Sequence, residues 1–177
     1  KSFENAVTTK TKVVIPVHMM GNQARLDEIV AVAETNDIMI LEDNAQGCGG
    51  TYKGNLLGTM GTMGTFSFDP GKTITTGEGG MVVTRDENLY IRARSYHDHG
   101  HEYSKTEGRA FEKALLTGFN YRMNEIGGAL GLTQLSKLDF ILEKQRQNKA
   151  ALMNTFKDLP YEFREIVDPE GELGDAI

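Results

Sequence analysis

Residues 66–80 read FSFDPGKTITTGEGG. The stretch "GTFSF" (Gly64–Phe68) is a short strand signal, and "MVVT" (Met81–Thr84) is another. Between them lies one lysine, Lys72, five residues after Ser67 and just ahead of the glycine-rich "TTGEGG". A serine near a strand's carboxyl end, followed by a lysine in the loop beyond it, suggests a ligand edge rather than a plain turn. Working outward, "IMIL" (Ile38–Leu41) predicts a strand that ends in the acidic pair Glu42 and Asp43. The β-branched "KVVIPV" (Lys12–Val17) predicts a buried strand. Leu26, Ile29, Val30 and Ala33 recur at helical spacing between these two, so a helix is expected over 24–35. Strands separated by helices and long loops indicate an α/β sheet, mostly parallel. "ENLYIRARSY" reads as a short helix, and the chain is strongly helical after Asn124. From Pro160 the sequence is polar and acidic. No internal repeat or interdomain linker is visible.

The bulk properties narrow the function classes. A chain of 177 residues with 39% hydrophobic content can bury the core of one globular domain. The net charge of −6 comes without any basic block, so nucleic acid is not an expected partner. The apolar runs are too short to cross a membrane, and the amino-terminal stretch lacks the apolar core of a signal peptide. The single cysteine, Cys48, excludes an internal disulfide framework and suits a reducing compartment, so a cytoplasmic location is expected. The chain opens on Lys1 rather than Met, as a piece of something larger would.

In a parallel sheet, ligands bind at the carboxyl ends of the strands. Asp43, Ser67 and Lys72 therefore converge on one edge. A protonated lysine is a poor nucleophile, but desolvation and charged neighbours free its amine for a Schiff base. A Schiff-base lysine with a carboxylate at the pyridine nitrogen is what a protein contributes to pyridoxal phosphate (PLP) chemistry. A strand-end hydroxyl can bind the phosphate, and glycines allow a close backbone approach. Taken singly, Lys72 reads as a solvated loop lysine, Asp43 as a turn residue and Ser67 as a strand-end hydrogen-bonder. "TTGEGG" lacks the GK[ST] ending of a phosphate-binding nucleotide loop.

The order "EDNAQGCGGTYKG", "GTFSFDPGKTITTGEGGMVVT" and "GFNYRMNEIGGALGLTQLSKLD" resembles the DegT/DnrJ/EryC1/StrS family of PLP-dependent sugar aminotransferases. The upstream "TTKTKVVIPVHMMGNQARLDEI" is similar too, so the likeness runs from about Thr8 to Leu152. It implies a three-layer α/β sandwich with a mostly parallel sheet, the large domain of the aspartate-aminotransferase fold. It also implies roles. Lys72 would carry the cofactor as a Schiff base and act as the catalytic acid and base. Asp43 would pair with the pyridine nitrogen, Gln46 would lie against the ring or its hydroxyl, and Ser67 would bind the phosphate. Asn120 would reach the phosphate of a neighbouring subunit, making the unit a homodimer. Glutamate would be the amino donor and a keto- or aldehyde-sugar the acceptor.

Family members are roughly twice this length, as expected of two domains. The resemblance thus makes 1–160 part of a PLP-binding large domain and 161–177 the start of a linker or small domain. On this reading the isolated span is a weak enzyme. Other readings stay open. One is a PLP-dependent sugar dehydratase, but those relatives carry a histidine in place of the lysine, and Lys72 speaks against it. Another is a non-catalytic PLP-fold regulatory or binding protein. The cluster "HDHGH" (His97, His99, His101) invites a metal reading, since alternating histidines on an extended strand share one face. It falls where the family carries a His-Gly loop, with no cysteine nearby. A substrate-facing or interface loop is expected there, and no metal.

Overall fold

The computed structural model describes residues 2–174. In chain order the elements are helix α1 (Ser2–Ala6), strand β1 (Val13–Val14), helix α2 (Leu26–Thr35) and strand β2 (Met39–Asp43). Strands β3 (Thr51–Tyr52), β4 (Asn55–Leu56), β5 (Met63–Ser67) and β6 (Gly80–Thr84) follow. Helices α3 (Glu87–His97), α4 (Glu125–Leu135) and α5 (Leu138–Phe156) complete the set. The main sheet has the order β1-β2-β5-β6, and β3 with β4 forms a separate two-stranded hairpin. β1 with β2 and β2 with β5 run parallel, whereas β6 returns antiparallel to β5. The architecture is thus α/β with a mostly parallel sheet.

Local chemistry sets the helix ends. The Asp86 carboxylate accepts from the Leu89 N–H at 3.0 Å and caps α3. Asn124 does the same for α4 through the Gly127 N–H at 2.8 Å. The hairpin turns on Lys53 and Gly54, both at positive φ, which glycine adopts freely.

Strand alternation divides the sheet into two unlike faces. Ile40 and Glu42 point to one face, with Gly64 across from Glu42 on β5. There Ile38 and Ile40 pack with Ala33 of α2, joined by Phe3, Val7, Ile29 and Val30. The other face carries Val13, Ile15, Val17, Met39 and Val82, which stay 41–55% exposed. The expected burial of "KVVIPV" therefore fails on this face: only Pro16 is buried, and no described element covers its neighbours. The irregular segment after Pro160 is tied back onto the body by backbone bonds. The Asn22 amide donates to the Glu165 carbonyl at 2.7 Å, and the Thr51 N–H donates to the Glu172 carbonyl at 2.7 Å.

Candidate active site

β2 and β5 bring the first group of residues together. Asp43 pairs in register with Thr65, so Asp43, Thr65 and Ser67 share one face at the carboxyl ends of adjacent parallel strands. This is the open face of the sheet. The Asp43 Oδ1 accepts the Ala45 N–H at 3.1 Å, in a turn that leaves Oδ2 to accept from outside. The Ser67 hydroxyl oxygen stands 3.4 Å from the Asp69 N–H, which leaves the hydroxyl proton to donate outward. Lys72 follows in the β5–β6 connection and is half-buried. Its backbone N–H closes a turn onto the Asp69 carbonyl at 3.1 Å. Its Nζ makes no hydrogen bond or ion pair among the described residues.

Gln46 adds a fourth group. Met20 is held at φ 55, and its N–H donates to the Gln46 Oε1 at 2.9 Å. That bond fixes the amide so that Nε2 remains as a donor. The donor set of the edge is therefore a carboxylate oxygen, a hydroxyl, an amide and an amine. It matches in kind a ring nitrogen, a phosphate, a phenolic oxygen and a carbonyl carbon, so the residues present fit PLP.

Beneath Asp43, on the covered face, lies a pair that the sequence reading missed. His18 and Glu42 are both fully buried, with Nε2 and Oε2 3.1 Å apart. The His18 Nδ1 accepts the Ala24 N–H at 3.2 Å, so Nε2 carries the proton and donates to Glu42. The Glu42 carboxylate also accepts the N–H groups of Gly58 at 2.8 Å, Met60 at 2.6 Å and Gly61 at 2.5 Å. Burial alone would raise this carboxyl. The His18 bond and the N–H groups of Gly61, Gly58 and Met60 outweigh it and hold the group below its usual range. Gly64 lies so close to the Gly58 carbonyl that no side chain fits there, which lets residues 58–61 fold over the sheet. A buried carboxylate with this many donors anchors the end of β2. The available signal was "HMMG" ahead of a helix and "ED" at a strand end, neither specific by itself.

Asn120 stands apart, with no contact to Asp43, Ser67 or Lys72 among the described residues. It lies in a segment laid antiparallel along the end of α3. The His99 N–H donates to the Phe119 carbonyl at 2.9 Å, and the Tyr121 N–H to the His97 carbonyl at 2.8 Å. The hub of this segment is Asp98, which is 1% exposed. Its carboxylate receives the Tyr103 hydroxyl at 2.7 Å and the Arg109 guanidinium, with the Arg122 Nη1 at 3.4 Å. Burial pushes the Asp98 carboxyl up. The Tyr103 hydroxyl, His99 and the charges of Arg109 and Arg122 overcome that and bring it to about 2.

The three histidines do not share a strand face. His97 is the last residue of α3, with its ring on the Arg94 carbonyl. His99 lies against Asp98 at 3.3 Å, and the His101 Nδ1 stands 3.2 Å from Glu112. Ligand atoms of Asp98, His99 and His101 do lie within 4.8 Å of one another. Asp98, however, is already neutralised by two guanidinium groups, and the Arg109 Nε donates to the remaining His101 nitrogen at 3.3 Å. That leaves a poor place for a cation. No helix among the described residues is long and apolar enough to cross a membrane.

The chain is 40% identical over 148 residues to a GDP-perosamine synthase of Escherichia coli O157:H7, covering 82% of this chain and 38% of that protein. It is 36% identical over 188 residues to a GDP-4-keto-6-deoxy-D-mannose 3-dehydratase of Escherichia coli O55:H7, covering 99% of this chain and 47% of that one. A crystal structure of a GDP-4-keto-6-deoxymannose-3-dehydratase with a trapped PLP–glutamate geminal diamine superposes with a TM-score of 0.83 at 36% identity. It covers 90% of this chain and 45% of that one. The chain thus spans less than half the length of these relatives. Residues 1–174 match the signature of one family. With the fold in agreement, the chain belongs to the DegT/DnrJ/EryC1/StrS aminotransferase family.

Proposed function

We propose that the polypeptide carrying this chain is a PLP-dependent aminotransferase that passes an amino group from glutamate to a keto- or aldehyde-sugar, nucleotide-linked or a sugar acid, in amino-sugar or cell-surface polysaccharide biosynthesis. The observation that carries this reading is Lys72. The residue is half-buried, its amine is unpaired among the described residues, and it lies just past the end of β5, which bears Ser67 and runs beside the strand that ends in Asp43. Bound there, PLP supplies an electron sink for charge released at the amino donor's α-carbon. Lys72 would hold the cofactor, and its Nζ would move a proton as general base and acid. Asp43 would pair with the ring nitrogen and favour its protonated form. Gln46 would offer Nε2 to the ring hydroxyl, and Ser67 would donate to the phosphate. Asn120 serves the phosphate of a neighbouring subunit in a homodimer. On the same reading, 1–160 belongs to the large domain and 161–177 begins a linker or small domain.

Family relatives include both a sugar aminotransferase and a sugar 3-dehydratase, so the two reactions compete as readings. By the family resemblance, a dehydratase would carry a histidine at the position of Lys72, and the lysine here favours amino transfer. Borohydride reduction of the holoprotein followed by peptide mapping is expected to find the phosphopyridoxyl group on Lys72. Lys53 is a poor alternative, because its ammonium is bound to Asp27 at 2.5 Å. Glutamate should then yield 2-oxoglutarate in step with amination of a keto-sugar. Label on Lys53 or Lys105 overturns the site, and loss of a sugar hydroxyl without a new amine overturns the reaction.

A further inference from the structure

We infer that Asp98 is a positioning residue for Asn120, acting through Arg122, so that the Asn120 amide presents Nδ2 rather than Oδ1 to the cofactor phosphate. This deepens the proposed function and rests on the phosphate role of Asn120. The Asn120 Oδ1 takes the Arg122 Nε at 3.1 Å, with the Arg122 backbone N–H 3.4 Å away. An oxygen so engaged cannot turn toward an anion, and the amide's other end is a donor. The same guanidinium is held from behind by the Asp98 Oδ1, 3.4 Å from its Nη1. Asp98 is fixed in its turn by Tyr103 and by Arg109, and its backbone is bridged to Asn120 across the antiparallel pairing. The order Asp98, Arg122, Asn120 is thus a chain of charge-assisted contacts running from a buried anion to an exposed amide. Arg122 is half-exposed and on a short tether, and without Asp98 it is free to leave Asn120. The amide then samples both orientations, one of which points an acceptor at the phosphate.

The test compares the affinity of the whole polypeptide for PLP and for pyridoxal, which lacks the phosphate. A role confined to folding would lower both affinities together. Asn120→Ala is expected to weaken PLP about tenfold and leave pyridoxal unchanged. Asp98→Asn is expected to produce the same selective loss, and the double variant no more than Asn120→Ala alone, as groups acting in series do. Arg122→Gln carries the same test if Asp98→Asn does not fold. A selective loss in Asn120→Ala with none in Asp98→Asn or Arg122→Gln overturns the positioning role alone. An equal loss for both ligands in Asp98→Asn does so too. No selective loss in Asn120→Ala overturns the phosphate reading of Asn120, and the positioning role with it.

Discussion

Glu42 and Asp43 are neighbours in sequence with opposite surroundings. Glu42 is fully buried and has its oxygens filled by three N–H groups and His18. Asp43 is half-buried, on the open face, with one oxygen committed to the turn at Ala45. Their substitutions should therefore separate stability from chemistry. Glu42→Leu leaves several buried donors without partners and is expected to cost about 3 kcal/mol in urea unfolding. Asp43→Asn keeps an oxygen for the Ala45 N–H and should unfold within about 0.5 kcal/mol of the parent. It should nevertheless lower glutamate half-transamination roughly 10²-fold, because a neutral amide does not favour a protonated ring nitrogen. Equal unfolding midpoints for Glu42→Leu and the parent contradict the anchoring role of the buried pair. A near-parental rate in Asp43→Asn contradicts the ring role.

The segment after α3 gives an element-scale test through acid unfolding. Asp98 sits at about 2 against an ordinary 3.8, so its native form binds protons less readily than its unfolded form. Its stabilisation is complete above about pH 4 and is lost as the pH falls toward 2. The bonds from Lys53 and then Tyr52 hold Asp27 at about 2 as well, so a second contribution fades over the same window. Urea midpoints measured between about pH 2 and 5 should fall steeply in the parent and less steeply in Asp98→Asn, with the Asp27 share remaining. Identical slopes would remove Asp98 from the account. Elements differ in how far the sequence disclosed them. β2, β5, β6, α2 and α3 were legible because apolar periodicity is a local property. Their ends moved by a residue or two, as caps and pairing decide them. The reversed direction of β6 was not legible, since pairing sense depends on the path of the 12-residue connection and not on the strand's own residues. Nor was the hairpin, although Lys53-Gly54 is a usable turn signal. The placement of Asp43, Ser67 and Lys72 along one sheet edge could be read, because strand ends follow from local apolar runs. Glu42 and His18 could not, because their partners come from segments remote in sequence, and Asp98 could not, because its partners Tyr103, Arg109 and Arg122 are gathered by the irregular path of the chain after α3, which has no periodic signal.

At the scale of the whole molecule, the described residues leave a broad apolar surface open. Besides the exposed sheet face, a cavity of about 660 Å³ lies between α4 and the sheet, lined by Phe66, Phe68, Met81, Val83 and Leu132 among others. Apolar area of this extent on an isolated polypeptide favours association. Residues 1–177 purified alone should bind a hydrophobic dye and sediment as concentration-dependent oligomers. They should transaminate glutamate at least about 10²-fold more slowly than the whole polypeptide, since small misplacements of catalytic groups cost that much. A monodisperse span with the full rate would show that the surface is covered within these residues and that they suffice for the chemistry.

The alternation of β2 also constrains how its gene can change. Deleting one codon between Ile38 and Glu42 keeps the reading frame but turns the strand over, so that Glu42 meets solvent and Asp43 meets the core. Point substitutions at Met39 or Leu41, on the open and half-buried side, disturb neither assignment. In a library of single-codon deletions and missense changes, β2 should tolerate many of the latter and none of the former. The hairpin turn around Lys53 and Gly54 should absorb length variation. Divergence in this part of the lineage is thus channelled into replacement within the strand and into insertion beyond it.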